Sequence, residues 1–344
     1  MSYVQFSIQK ILDLCSIPSP TGFTHRAIKY LVEEFKKLGF SYTLTKKNNL
    51  LVDLGHGESD AIMFVAHVDT LGAMVKHIKN NGRLSISKIG SFPFNHVENE
   101  NCIIHTRDGK EYTGTIYLTK PSVHVYKEVG TLERNDENIE VVLDQKVSNE
   151  QDVKDLGIMP GDYISFEPRT ILTKTGFIKS RHLDDKAGVG ILLGLAKSIR
   201  DYAVQPKRKV YMMFTSYEEV GHGAASSIPE DVSEVISVDM GAVGEGLNSN
   251  VYSVSICAKD SGGPYDYETV SKLIKAANIA EVNYTVDIYP YYGSDVESSL
   301  RAGYDIRHGL IGPGVYASHG YERTHIDAIE ATLKLLQVYV EIDE

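Results

Sequence analysis

Ala61-Ile62-Met63-Phe64-Val65-Ala66-His67-Val68-Asp69 decides the fold. Six apolar residues run without a polar interruption and stop at a histidine and an aspartate. A strand with one face in water alternates polar and apolar residues, whereas a strand covered on both faces does not. The run therefore predicts a buried strand of an α/β protein, with His67 and Asp69 at its carboxyl end. Val210-Tyr211-Met212-Met213-Phe214-Thr215 repeats the pattern and leads into Ser216-Tyr217-Glu218-Glu219. Val235-Ile236-Ser237-Val238 repeats it again and ends in Asp239. Open parallel sheets bind ligands beyond the carboxyl ends of their strands. Three separate stretches would thus deliver His67, Glu218, Glu219 and Asp239 to one edge.

Helices flank these strands. Residues 5–14 and 24–38 have helical apolar spacing, and Ser16-Ile17-Pro18-Ser19-Pro20-Thr21-Gly22 separates them. Helical spacing returns at 186–202, 267–278 and 324–340, and 251–258 reads as a fourth strand. The texture differs after Leu71. Asn80-Asn81-Gly82 and Asp108-Gly109 each sit between short β-rich runs, the signal of a hairpin. Further short strands are predicted at 139–143 and 163–166, with Ser148-Asn149-Glu150-Gln151 as the capping box of one short helix. These features predict a small all-β unit at 71–173, inserted in a larger α/β domain made of 1–70 and 174–344.

The chain has 344 residues, enough for about two domains. Its composition is that of an ordered globular protein, with 42% hydrophobic and 24% charged residues. The formal net charge of −11 argues against nucleic acid, whose binding rests on Lys and Arg at phosphates. Cys15, Cys102 and Cys257 are far apart, which fits a reducing compartment and disfavours a thiolate zinc site. No apolar run reaches membrane-spanning length and the N-terminus lacks a secretory pattern, so a cytoplasmic protein without membrane partners is expected.

The inventory at the sheet edge suits a pair of divalent metal ions. Two loops of the same domain add His182-Leu183-Asp184-Asp185-Lys186 and Ser318-His319-Gly320. Zinc and its relatives take imidazole nitrogen and carboxylate oxygen. One carboxylate can serve two ions, and a further carboxylate that is not a ligand can take a proton from water. Singly, each element has a plainer reading. His-x-Asp after a strand is common, Glu-Glu is ordinarily a solvated helix start, and Asp184-Asp185 could be a helix cap with a surface pair. Their order and their placement at strand ends carry the argument.

Pro18-Ser19-Pro20-Thr21-Gly22, Ala66-His67-Val68-Asp69, Leu183-Asp184-Asp185-Lys186-Ala187-Gly188, Glu218-Glu219-Val220-Gly221 and Val238-Asp239 together resemble the tetrahedral-type dinuclear metallo-aminopeptidases. These are the glutamyl or deblocking aminopeptidases, some of them also called endoglucanases. The resemblance covers essentially the whole chain. It implies a mixed, largely parallel sheet sandwiched by helices, as in zinc peptidases, with the all-β insert as a dimerisation domain. It implies two metal ions per subunit, zinc or cobalt with manganese also fitting. His67 and Asp239 would hold one ion, Glu219 and His319 the other, and Asp184 would bridge them. Glu218 would be the general base, and Asp69 would orient the His67 ring. Lys186 stands where the family commonly has Arg. His319 aligns with the last ligand, and His325 competes with it unless a helix starting near Thr324 carries it away. The resemblance further implies a non-proline cis peptide at Asp184-Asp185, peptide substrates with a free N-terminus, and a homo-oligomer between a dimer and a hollow dodecamer.

Other readings fare worse. Lys259-Asp260-Ser261-Gly262-Gly263-Pro264 looks like the nucleophile loop of chymotrypsin-like proteases, but that fold is all-β and its base histidine context is missing. As a Gly-rich loop near the sheet edge it could still line a substrate pocket, as could 289–295. Gly188-Val189-Gly190 does not follow a strand, so it is no dinucleotide fingerprint. A dinuclear deacylase or amidohydrolase remains an alternative, as does a non-catalytic assembly protein that kept the fold. The latter should have lost a ligand, and none is lost.

Overall fold

The computed structural model describes residues 1–55 and 60–343. Strand Ala61–His67 is buried at every position and lies between Val210–Thr215 and Val232–Val238, parallel to both. Its side chains alternate between two apolar layers. Ile62, Phe64 and Ala66 pack with the helices Tyr3–Cys15, His25–Leu38, Leu183–Arg200 and Ile326–Glu341. Ala61, Met63 and Val65 pack with Ala224, Ile228, Val296 and Leu310 on the other face. The continuous apolar run is thus the consequence of helices and loops covering both sides of the sheet.

Among the described residues the sheet has twelve strands, and most of them form one path. From one edge the order is Ser41–Leu44, Leu50–Asp53, Val210–Thr215, Ala61–His67, Val232–Val238, Arg307–Tyr316, Glu322–His325, Phe177–Ser180 and Ile171–Leu172. The four strands from Val210–Thr215 to Arg307–Tyr316 run parallel, so their carboxyl ends share one edge. Thr215 lies opposite His67 and Val238 opposite Ile311. Strands Gly72–Ile78, Leu84–Ile89, Asn101–His105, Glu111–Leu118, Ile139–Leu143 and Tyr163–Phe166 close a separate barrel with its own core, including Val75, Ile86, Ile104, Ile116 and Val141.

Three sequence expectations need correction. The central strand Arg307–Tyr316 has no counterpart among the expected strands, and it carries Gly309, Gly312, Pro313 and Gly314. The glycines are there for closeness: a Cβ on Gly312 or Gly314 would overlap the carbonyls of Asp239 or Asn250. The last helix begins at Ile326, and Thr324 and His325 belong to strand Glu322–His325. The short helix Glu150–Asp155 is capped by Asn149, which accepts from Asp152 N, and Ser148 instead donates to the Asp152 carboxylate.

The glycines of Leu183–Arg200 also serve packing. A Cβ on Gly188 would overlap the Val238 carbonyl, and one on Gly190 would overlap the Ile11 side chain. In an open helix, Gly→Ala gains about 1 kcal/mol. At Gly190 the sign should reverse, because overpacking costs about 1–3 kcal/mol. Gly190→Ala should therefore lower the urea midpoint; a midpoint above the parent's would contradict this packing account.

Candidate metal centre

His67 ends the central strand and is 2% exposed. Its Nδ1 lies 2.9 Å from the Asp69 main-chain oxygen, which leaves Nε2 facing the cluster. There Nε2 lies 3.0 Å from Asp184 Oδ1, 3.8 Å from Glu218 Oε2 and 4.0 Å from Asp239 Oδ2. His319 repeats the arrangement from the other side. Its Nδ1 lies 2.6 Å from the Ser91 carbonyl oxygen, and its Nε2 lies 3.4 Å from Asp184 Oδ2 and 3.6 Å from Glu219 Oε2. The two oxygens of Asp184 thus face one imidazole each. Rings fixed through one nitrogen, with the other turned to shared carboxylates, have the form of metal-ligating histidines.

The strand ends and loops bring His67, Asp184, Glu218, Glu219, Asp239 and His319 together. The Asp184–Asp185 peptide is cis, as the resemblance implied. His325 is elsewhere: its Nε2 lies 2.8 Å from the Thr175 carbonyl oxygen, its Nδ1 accepts from Asp327 N, and its ring packs on Phe177 and Tyr252. Strand pairing and the start of a helix, rather than passage along that helix, keep it away.

Asp69, expected to orient the His67 ring, meets that ring through its main chain. Its carboxylate is 3.7 Å from His67 Nδ1, and its main chain orients the ring. The carboxylate accepts instead from Thr21 Oγ1 at 2.6 Å, from Glu218 N at 3.1 Å and from Glu219 N at 3.4 Å. It therefore pins the turn that presents the two glutamates. Asp185 also lies near His67 and Asp239 as a geometric ligand candidate. However, its two oxygens already accept from His67 N and Gly188 N, so its part is to position them.

Three supports act through contacts that appear only on folding, one of them at Asp295 in the 289–295 segment expected near the pocket. Glu322 is 2% exposed and accepts from Asp184 N and His319 N, tying two cluster residues together. Asp295 accepts from Thr215 Oγ1 and Ala224 N and so closes the loop that carries Glu218 and Glu219. The barrel segment also takes part, since Ser91 and His96 both bond to His319. Only folded contacts reveal these roles. Lys186 is fully buried and donates to the Ile17 carbonyl at 2.6 Å, anchoring the Pro18–Pro20 loop; burial pushes its amine down to about 8.

The electrostatics call for cations. Burial, with Asp184 nearby, pushes Glu219 up to about 8 and Asp239 up to about 7. Burial pushes Glu218 well up too, against the pull of His67. Burial opposes charge on His319, yet Asp184 and Glu219 raise it to about 11. Without other positive charge, the cluster holds protons at neutral pH. Imidazole and carboxylate donors suit borderline divalent ions, which would take the protons' place. A cleft of about 500 Å³ opens over the cluster and is also lined by Tyr291, Tyr292, Glu297 and Arg301, with the Tyr292 hydroxyl donating to the Met240 carbonyl beside Asp239.

A mixed sheet with such a donor set at its parallel edge defines a metal-dependent hydrolase. Residues 48–335 match the M42 glutamyl aminopeptidase family, and the chain belongs to that family. YhfE of Bacillus subtilis (strain 168), provisionally named an aminopeptidase, is 47% identical over 342 residues, 99% of each chain. Two solved structures share the fold at lower identity. The Pyrococcus horikoshii TET1 peptidase, which can assemble into a tetrahedron or a large octahedral shell, has a TM-score of 0.86 at 22% identity, over 97% of this chain and 99% of its own. The TET aminopeptidase of Thaumarchaeota archaeon SCGC AB-539-E09 has a TM-score of 0.88 at 15% identity, over 97% and 96%.

A raised carboxyl keeps its proton in the native state after the unfolded chain has lost it, so stability falls as pH rises between the two values. For Glu219 and Asp239 the interval runs from ordinary values of 4.5 and 3.8 to about 8 and about 7. Metal-free protein should therefore lose stability as pH climbs from about 5 to about 8. Added Zn²⁺, Co²⁺ or Mn²⁺ should remove most of that slope. Thermal melts with and without chelator check this, and a chelated profile that stays flat would count against it.

Proposed function

We propose that this metal-dependent aminopeptidase is dinuclear and removes N-terminal residues from short peptides. The observation that carries the reading is Asp184, whose two oxygens lie 3.0 and 3.4 Å from the Nε2 atoms of His67 and His319. His67 and Asp239 would hold one ion, Glu219 and His319 the other, with Asp184 shared between them. Zinc, cobalt and manganese all fit these donors. Bound ions of this kind polarise the scissile carbonyl and make water acidic.

The remaining steps belong to the chain. Glu218 accepts a proton from the attacking water and returns it to the leaving amine, and burial gives its carboxylate the basicity for that task. Asp69 holds the main chain of Glu218 and Glu219 through both of its oxygens, so the base keeps its place beside the ligand. The acidic surroundings suit a substrate's free ammonium group. A deacylase would share the metal centre but not the need for that group.

We take 71–173 as the inserted unit, with 1–70 and 174–344 forming the catalytic domain, and propose that the insert joins subunits. Apolar Val123 and Val125 beside the barrel are exposed in the single chain and suit a homo-oligomeric contact, whereas the strand Ile171–Leu172 pairs with the large sheet, so the barrel unit ends before it. Assembly from dimer to dodecamer agrees with the shells named for the P. horikoshii relative. Among the described residues no helix is long and apolar enough to cross a membrane. The three cysteines are unpaired and buried, which supports placing the protein in the cytoplasm.

Glu218→Gln should cut kcat on aminoacyl-p-nitroanilides by about 10² to 10⁴ while both metals stay bound. Elemental analysis alongside the assay separates the roles, because metal loss in this variant would make Glu218 a ligand and not the base. Light scattering should find the intact protein well above the 38.1 kDa of one chain. A fully active monomer would remove the assembly proposal.

A further inference from the structure

Part of the cleft lining comes from the barrel unit and not from the sheet. Pro93 and His96 line the cleft beside Ser318 and His319. His96 ends the short helical turn Phe94–His96, and its place is fixed from several sides. Its main-chain oxygen accepts from Arg181 Nη2. Arg181 is 4% exposed and is itself held by Glu100 Oε2, at 2.6 Å from Nη2 and 2.9 Å from Nε. The His96 ring lies against Gly320, where a Cβ would come within 3.3 Å of Nδ1. Nδ1 lies 2.9 Å from the His319 main-chain oxygen. A carbonyl only accepts, so Nδ1 carries a proton, and in the neutral ring Nε2 is then an acceptor. Nε2 has no hydrogen-bond partner among the described residues. His96 also joins no metal-binding group among them, so it is not a further imidazole of the metal centre.

Resting on the aminopeptidase reading, we infer that His96 binds substrate: its Nε2 accepts a hydrogen bond from a main-chain N–H beyond the scissile bond. The ammonium group of the first residue is a cation and suits the carboxylates of the cluster. The scissile carbonyl belongs at the ions. The peptide that follows has to leave along the cleft, and what it offers an acceptor there is its N–H groups. The inserted unit thus grips the departing peptide, while the sheet edge holds the residue to be removed.

Binding without turnover tests this. Metal-loaded Glu218→Gln protein is titrated calorimetrically with L-leucinamide, which ends at the scissile bond, and with L-leucyl-glycyl-glycine, which continues past it. The readout is the ratio of the two affinities, because a loss of metal or a misplaced His319 weakens both ligands alike. Adding His96→Asn keeps a side-chain N–H for the His319 carbonyl and removes the acceptor at the Nε2 position. It should weaken the tripeptide by about 3- to 10-fold, the scale of one neutral hydrogen bond, and leave leucinamide as it was. Adding His96→Gln instead, whose amide oxygen can reach the Nε2 position, should recover part of that loss. An unchanged ratio in His96→Asn would overturn the inference, whether neither ligand weakens or both weaken equally, and would leave His96 only its support of His319. Failure of both ligands to bind metal-loaded Glu218→Gln protein would count against the aminopeptidase reading, and the inference would fall with it.

Discussion

Carboxylates that share a buried space repel one another, and the structure around Asp184 is organised by that fact. Asp184, Glu218, Glu219 and Asp239 converge at the floor of the cleft, largely withdrawn from water, and the two imidazoles face the same point. Removing one partner from a buried charge cluster is costly, since the remaining charge is left uncompensated. The arrangement makes physical sense only with cations as part of it. The folded chain therefore carries a standing cost at this edge, and the double-sided apolar packing of the sheet has to hold it in place.

That packing also explains how distant segments reach one point with small tolerances. The parallel strands end together, and each residue proposed as a ligand leaves from a strand end or a loop beside it. Main-chain groups then fix orientation: Asp69 and Ser91 hold the two rings, and Glu322 ties Asp184 to His319. Arg181 extends the support outward, bonding Glu100 in the barrel unit and the Gly320 carbonyl in the His319 loop. The inserted unit thus has a part in the metal centre through His319, beyond any contact it makes with another subunit.

Much of this was legible in the sequence. The buried strands announced themselves as unbroken apolar runs, and His67, Glu218, Glu219 and Asp239 followed them directly. Asp184 and His319 lie outside those runs, and family resemblance was needed to place them. The strand Arg307–Tyr316 had no counterpart in the sequence reading: the glycines that its close approach to Asp239 and Asn250 requires break the unbroken apolar pattern that marks the other buried strands. Glu322, Asp295 and Ser91 carry no local signal, since each acts through a residue far away in the chain. Asp69 was expected to orient the His67 ring, and only the folded contacts show that its main-chain oxygen is the group that meets the ring.

The account stands or falls on two ions sharing Asp184. The most direct measurement is anomalous diffraction at the metal absorption edge from crystals of the metal-loaded protein. Two peaks should flank the Asp184 carboxylate, one against His67 and Asp239 and the other against Glu219 and His319. A single peak, or ions held without Asp184, would contradict it.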